Sequence, residues 1–378
     1  GNSIASGGNY NVVVGDEAGT ALTTGDSNIA IGFEALKTED ANSFNVAIGH
    51  QALKVNNGGD ANVAIGYTAL AANTTANNNV AIGNGSMGTN TTGTFNVGVG
   101  QGSLAANTTA DNNTAVGASA LAANTTGTRN FAGGFQALLA NTTGERNIAV
   151  GDAALGANTT ASGNSAFGHR ALFTNTTGAS NTGLGHDALR LNTTASDNTA
   201  VGLSALRANT TGTRNTAVGK NAGLSATTGD DNTFIGQDSG DAVTTASDNT
   251  GVGSYSLTNT TTGASNVAVG YLSLSENTTA SNNTAVGYAS LSANTTGYNN
   301  TAVGKSSLTT NTTGVNNTAH GLGALQVNTT GASNVAVGLN SLASNTTASN
   351  NTGVGYNALI ANTTGPSNTA IGMNTMAA

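Results

Sequence analysis

The sequence predicts an all-β protein, a parallel β-solenoid of about 22 coils built on a 17-residue repeat. Glycine occupies every seventeenth position from Gly15 to Gly372, and asparagine precedes each of these glycines by four residues, from Asn11 to Asn368. Between them lies a short alternating segment, N-T-A-V-G at 113–117. No insertion or deletion breaks this period, and a fixed period is the signature of stacked repeats.

The alternating segment suits a strand better than a helix. It is bounded by Asn and Gly, whereas glycines, β-branched residues and the recurring N-T-T-G element are poor in helix interiors. We expect two short strands in each coil, one around N-T-A-V-G and one around A-L-x-A-N, with turns at the glycine and at N-T-T-G. Stacked coils are then about 4.8 Å apart.

Strand alternation predicts which side chains share a face. Residues three and one before the repeat glycine are β-branched or apolar, and the residue between them is nearly always Ala or Gly. A leucine four residues after the glycine supplies a second apolar column. Because this core is thin, we expect apolar surface to be buried against other chains, and the bare Ala/Gly column to allow close approach of sister chains in a parallel homotrimer.

The repeated asparagines predict a structural ladder. Stacked Asn side chains can hydrogen-bond along a column, and Asn also tolerates left-handed turn geometry. The predicted ladder residues in the middle of the first half of the chain are Asn113, Gly117, Leu121, Asn130, Gly134, Asn147 and Gly151.

Composition excludes several function classes. Only 7% of residues are charged, the net charge is −8, and there is no cysteine. The chain therefore lacks the basic patch that nucleic-acid binding needs, a long apolar run for membrane insertion, and thiolate zinc sites. No convergent catalytic motif appears, so we predict a protein that is not an enzyme, with no catalytic residues, no cofactor and no metal site.

A few side chains remain as candidates for binding. Histidines 169 and 186 follow repeat glycines one coil apart, but no third metal ligand is evident in the sequence. His50 occupies the same column, and His320 replaces an apolar strand residue. The pair Asp230-Asp231 is the only dense acidic spot, and calcium needs six to eight oxygen ligands. The N-T-T triplets match the N-glycosylation pattern and leave glycosylation open.

Aromatic residues recur in the column that directly follows the repeat glycine. Their ring faces could stack on sugars, which would suit a receptor-binding fibre; isolated rings on a solenoid rim are the alternative. The candidate ligand column is Tyr67, Tyr271, Tyr288 and Tyr356.

The N-V-A-I-G element at 45–49 resembles the head repeats of YadA-like trimeric autotransporter adhesins. The longer form, N-T-A-V-G-x-x-A-L-x-A-N-T-T-G, is similar to repeats of bacteriophage tail-fibre proteins. The resemblance covers essentially the whole chain, although the adhesin head repeat is shorter than 17 residues. It implies a left-handed parallel β-roll, three rolls side by side, and an extracellular, cell-surface or virion location.

These observations favour a structural fibre or adhesin shaft that rigidly spaces or presents a receptor-binding region during attachment to a host cell or surface. Its partners would be its own copies and a cell-surface glycan or receptor. Two alternatives stay open: an end-to-end self-assembling extracellular filament, and an ice-binding solenoid. We expect one repeat domain over 1–378. Because the sequence starts without Met and ends in mid-pattern, we expect a fragment of a longer chain.

Overall fold

The computed structural model describes residues 8–376, which belong to two compact units divided between Asp187 and Ala188. Both units are all-β, and residues 8–376 contain no helix. Each unit is a parallel β-solenoid with one three-residue strand in every coil of 17 residues. The predicted fold class is therefore confirmed.

The first unit contains eleven strands: β1 (Val12–Val14), β2 (Ile29–Ile31), β3 (Val46–Ile48), β4 (Val63–Ile65), β5 (Val80–Ile82), β6 (Val97–Val99), β7 (Thr114–Val116), β8 (Phe131–Gly133), β9 (Ile148–Val150), β10 (Ser165–Phe167) and β11 (Thr182–Leu184). The second unit also contains eleven: β12 (Thr199–Val201), β13 (Thr216–Val218), β14 (Thr233–Ile235), β15 (Thr250–Val252), β16 (Val267–Val269), β17 (Thr284–Val286), β18 (Thr301–Val303), β19 (Thr318–His320), β20 (Val335–Val337), β21 (Thr352–Val354) and β22 (Thr369–Ile371).

Within each unit every strand pairs in parallel with the next strand along the chain. Ala115 of β7 is aligned with Ala132 of β8, and Ala217 of β13 with Phe234 of β14. Each partner lies 17 residues away, so equivalent residues of successive coils form straight columns. The sequence period thus sets the register of the sheet directly.

The expected second strand around A-L-x-A-N does not form, and residues 118–123 are turns instead. Ser119 and Leu121 have φ values of 55° and 53°, in the left-handed region, where an extended strand cannot continue. Hydrogen bonds to neighbouring coils hold this backbone in place: Ser119 N donates to Gln101 O at 2.8 Å and Leu121 N to Ala137 O at 2.9 Å. The prediction of a second strand was wrong, because the alternation of apolar and polar residues over so few positions does not reveal left-handed φ values.

The glycine at every seventeenth position, the register glycine, cannot be replaced without strain. Gly117 has φ 139°, a conformation that side chains with a Cβ rarely adopt. A Cβ built on Gly117 would also lie 2.3 Å from the carbonyl oxygen of Gly134 in the next coil. Close stacking of the backbones therefore requires glycine here.

The core consists of residues that point into each coil. The middle residue of the strand, such as Ala115 or Ala132, is fully buried, as are Ala120 and Leu121 after the register glycine. The Ala/Gly column therefore faces the inside of its own coil. The expectation that it contacts sister chains was wrong, because the β-branched neighbours on the same strand are the residues that point outward.

At one site in the core of the second unit, a large residue replaces the usual alanine and two glycines replace the usual leucines. Phe234 takes the usual Ala position of the strand, while Gly223 and Gly240 take the usual Leu position of two coils. A Cβ on Gly240 would lie 2.4 Å from Phe234 Cδ1, and a Cβ on Gly223 2.9 Å from Cδ2. The ring thus fills the space that two leucines fill elsewhere, which conserves core volume.

Two asparagine columns run through the core. The core asparagine, four residues before the register glycine, binds main chain: Asn113 N donates to Asn96 Oδ1 at 2.9 Å, and Asn113 Nδ2 to Gly127 O at 2.9 Å. The turn asparagine, which begins N-T-T, forms an amide ladder, with Asn124 Nδ2 donating to Asn107 Oδ1 at 3.0 Å. Both columns are buried in most coils, and most of their amide groups have the hydrogen-bond partners that a core polar group requires. Among the described residues, Asn209 Oδ1 in the turn column and Asn351 Nδ2 in the core column are buried without one.

The predicted ladder residues belong to three different columns of the repeat. Asn113, Asn130 and Asn147 are core asparagines, and Leu121 is a buried leucine. Gly117, Gly134 and Gly151 are register glycines in direct succession. The predicted bonding between core asparagines occurs in several coils, with Asn130 Nδ2 donating to Asn113 Oδ1 at 3.3 Å and Asn232 Nδ2 to Asn215 Oδ1 at 3.0 Å. The turn asparagines form a second amide ladder, which the sequence analysis did not predict.

A test of the register glycine compares two glycines in neighbouring coils. We expect Gly117→Ala to lower the free energy of unfolding by roughly 3 kcal/mol or more, because the new Cβ adds backbone strain and collides with the next coil. Gly102→Ala should cost only about 1 kcal/mol, since Gly102 has left-handed φ but no atom closer than 4.0 Å to its Cβ position. Denaturant titration of both variants measures this, and equal losses would refute the explanation.

The volume exchange at Phe234 predicts non-additive substitutions. Phe234→Ala should lower the free energy of unfolding by about 3–5 kcal/mol through the cavity it leaves. Gly240→Leu alone should also destabilise, because its side chain meets the ring. The double variant Phe234→Ala/Gly240→Leu should be more stable than either single variant, as measured by denaturant titration. Additive losses would contradict the proposed packing.

Candidate functional site

The outward side of each strand presents an apolar surface, which we call the strand face. It consists of the residues three and one before the register glycine, and they are partly or largely exposed in both units. Val116 is 45% exposed and Leu184 47%. Further members that expose large apolar side chains are Ile82, Phe131, Ile148 and Phe167 in the first unit, and Val218, Ile235, Val267, Val335 and Val337 in the second. Repeated exposure of this kind is typical of interaction surfaces.

A second exposed column directly follows the register glycine; we call it the ring column. In the first unit Phe33, His50 and Tyr67 stack in succession, with ring centroids 5.1 Å apart in both pairs. These spacings reflect the rise from one coil to the next. Residues 17 positions apart in the ring column therefore stack on one another.

The four predicted ligand tyrosines all lie in the ring column. Tyr67 is 54% exposed and Tyr356 46%. Tyr271 and Tyr288 stack on each other at 5.6 Å, Tyr255 meets the edge of Tyr271, and Lys305 Nζ lies 5.7 Å from the Tyr288 ring centre.

Tyr255, Tyr271, Tyr288 and Lys305 form what we call the tyrosine cluster, all within the second unit. The inner faces of Tyr271 and Tyr288 already contact each other, so a planar or sugar ligand would have to stack on outer faces or edges. Sequence reasoning found the two stacked tyrosines but missed Tyr255 and Lys305. Tyr255 follows the ring-column residue by one position, so column membership alone could not identify it.

The histidines occupy two different surfaces. His169 and His186 of the ring column stack with centroids 4.9 Å apart, as expected for successive coils. The structure adds a third group that the sequence analysis did not find, because Asp187 lies beside them. His320 lies on the strand face and is exposed rather than enclosed in an apolar column.

The acidic pair at 230–231 is already engaged with the preceding coil. Asp230 Oδ1 accepts hydrogen bonds from Thr213 N at 2.6 Å and Thr213 Oγ1 at 2.9 Å. Asp231 accepts two bonds from Arg214, at 2.7 and 2.8 Å, and this guanidinium lowers the pKa of the Asp231 carboxyl. These carboxylates therefore link coils, and they are not simply solvated turn acids.

Ion pairs also connect coils near the start of the first unit. Glu34 lies 2.6 Å from Lys37 and 2.6 Å from Lys54, and Gln51 donates to it at 2.7 Å. Hydrogen bonds from these side chains, led by Lys37, lower the pKa of Glu34 to about 2. The Glu34 side chain is only 11% exposed and each lysine side chain 33%, so these pairs order the edge of the solenoid surface.

The N-T-T triplet divides its three residues between core and surface. Asn124 is fully buried, Thr125 Oγ1 donates to Thr142 O of the next coil at 3.1 Å, and Thr126 is exposed. The same arrangement recurs through most coils. A folded coil consequently does not present the asparagine amide for glycosylation, and the exposed face of the triplet is a single column of threonines.

A shallow apolar depression of about 180 Å³ lies in the first unit between Leu139 and Phe173. Gly156 contributes no side chain to its lining, and a Cβ built on Gly156 would lie 3.4 Å from the Phe173 ring. Sites for small molecules typically enclose about 300–1,000 Å³. The depression is therefore too small to mark a ligand site by itself.

Glu39 is a buried acid in the column of turn asparagines. Its side chain accepts a hydrogen bond from Asn42 N at 2.8 Å and another from Asn56 Nδ2. Burial raises the pKa of Glu39 above its ordinary value, and the backbone bond to Asn42 only partly opposes this. The ionised carboxylate is therefore unfavourable in the folded coil.

This burial predicts a pH-dependent effect of Glu39→Asn, which restores the residue that the column usually carries. A raised pKa means that the acid favours folding below its unfolded pKa and disfavours it as pH rises through the folded pKa. We expect Glu39→Asn to stabilise the protein more at pH 7 than at pH 4, measured by thermal denaturation. Asp152→Asn, an exposed change of the same charge, is the control; a pH-independent difference would contradict the prediction.

No protein-family model matches the chain, and no curated protein matches it. Among residues 8–376, no helix has the length and apolar character that crossing a membrane requires.

Proposed function

We propose that the chain is a non-enzymatic structural shaft, which rigidly spaces or presents a receptor-binding region in attachment to a host cell or surface. The observation that carries this proposal is the continuous bonding of successive coils within each unit, through strands, turns and side chains alike. Such bonding resists bending and stretching of a unit, because every deformation breaks several hydrogen bonds at once. The side chains that vary most lie on the outside.

The partner that best fits the strand face is a second copy of the same chain. Parallel copies in the same register would set identical Val, Ile and Thr columns against each other over many coils, and such repetition favours symmetric assembly. A homotrimer, as in the adhesins that the repeat resembles, would bury three such faces together. The buried Ala/Gly column takes no part in this contact.

Receptor contact is assigned to the ring column, which carries the exposed tyrosines and the tyrosine cluster. Aromatic faces beside a lysine suit sugars and other hydroxyl-rich groups. The resemblance to adhesin and tail-fibre repeats supports this assignment and an extracellular, cell-surface or virion location. The proposal of attachment therefore rests on two features: the regular solenoid, and the exposed ring column whose residues differ from coil to coil.

The exposed threonine column favours a second candidate, an ice-binding solenoid. Threonines such as Thr126 and Thr143 repeat at the coil spacing on one side of each unit. Each triplet exposes only one threonine, however, so the array is one residue wide. Thermal hysteresis of the purified protein would support this candidate, and its absence would remove it.

The shaft proposal is tested by the oligomeric state. Light scattering on the wild-type protein at micromolar concentration should give three times the chain mass of 36.6 kDa. Ile82→Lys/Val116→Lys should dissociate the oligomer, since burying two lysines in the strand face is costly. Asn84→Lys/Gln101→Lys, which places the same charges in the ring column, should leave it intact.

A wild-type protein that is monomeric would contradict self-association through the strand face. Equal dissociation by both lysine pairs would show that charge in general, rather than this surface, controls assembly. Circular dichroism of each variant checks that the coils remain folded.

A further inference from the structure

The strongest unexplained cluster is the group formed by His169, His186 and Asp187 in the first unit. Each residue offers one ligand atom, and the three atoms lie within 4.8 Å of one another. The cluster arises from the register: one coil places His169 next to His186, and Asp187 follows in the chain. We propose that these three residues form a binding site for a zinc ion.

The backbone fixes the positions from which the ligands extend. Asp187 N donates to His169 O at 3.1 Å, so the aspartate is held against the coil that carries the first histidine. Asp187 has a left-handed φ of 58° and a side chain only 12% exposed. The carboxylate is thereby placed at the base of the cluster, with the two imidazoles above it.

The two imidazoles retain the freedom to close on an ion. Their rings stack at 4.9 Å with an interplanar angle of 20°, and the His186 side chain is 55% exposed. Ligands bound to one zinc at about 2.0–2.1 Å lie about 3.4 Å apart in a tetrahedral arrangement. Binding therefore requires the rings to tilt out of their stacked arrangement, and the exposed His186 ring has room to do so.

His186 and Asp187 lie close together without a direct hydrogen bond between their side chains. Nδ1 lies 3.6 Å from the Asp187 carboxylate, beyond the range of a good hydrogen bond. A zinc ion placed between this nitrogen and this oxygen would bind both of them.

The donor set selects the metal. Two imidazoles and one carboxylate suit zinc, which takes nitrogen and oxygen ligands in fourfold coordination, and the exposed side of the cluster leaves a fourth position for water. Calcium is disfavoured because it requires six to eight oxygen ligands. The site is thus expected to prefer zinc over calcium or magnesium.

The experiment is calorimetric titration of the tag-free, full chain with zinc chloride at neutral pH. We expect one zinc ion per chain, and at least tenfold weaker binding in His169→Ala, His186→Ala and Asp187→Asn. His50→Ala is the matched control, because His50 occupies the same column but is flanked by Phe33 and Tyr67. It should bind zinc as the wild type does.

Melting temperatures measured in EDTA check the folding of the variants. They should match that of the wild type, because other coils carry different residues in the same columns, such as Ala118 and Ser119. Zinc should raise the melting temperature of the wild type and of His50→Ala alone among these proteins. Absence of zinc binding at micromolar concentration, unchanged binding in the three ligand variants, or equal loss in His50→Ala would each overturn the proposal.

Discussion

The constraint on which the structure depends is the hydrogen bonding of each coil to the next at a fixed offset of 17 residues. Within each unit, strands, turns and both asparagine columns all donate to an adjacent coil. A single inserted residue would shift every column at once and turn the core residues of later strands outward. This explains why the repeat carries no insertion over its whole length.

Close stacking also explains the composition. The register glycine has no room for a Cβ, the inward strand residue has room for little more than alanine, and the buried asparagines satisfy main-chain groups that a wider coil would leave without partners. Large apolar residues in the core are consequently limited to about one leucine a coil. The exchange around Phe234 shows that total core volume, rather than residue identity, is what must be kept.

The fold could be predicted because the period, the register glycine and the strand segment are local signals repeated many times. The second strand was predicted wrongly, since nothing in A-L-x-A-N signals left-handed φ at leucine. The direction of the Ala/Gly column was wrong as well, because alternation separates two faces without saying which is inside. Asp187 was missed for a similar reason. His169 and His186 share the ring column and could be related through the period, whereas Asp187 lies in the column one position further along the chain.

The central claim is that bonds between coils stabilise the turns as firmly as the strands. Hydrogen exchange resolved to segments tests it most directly, by comparing N-T-T segments such as 124–126 with strands such as β7 in the same coil. The account predicts similar protection of both, since Thr125 N donates to Thr142 O at 3.0 Å much as strand amides donate to neighbouring strands. Rapid exchange of the N-T-T amides beside protected strands would contradict it.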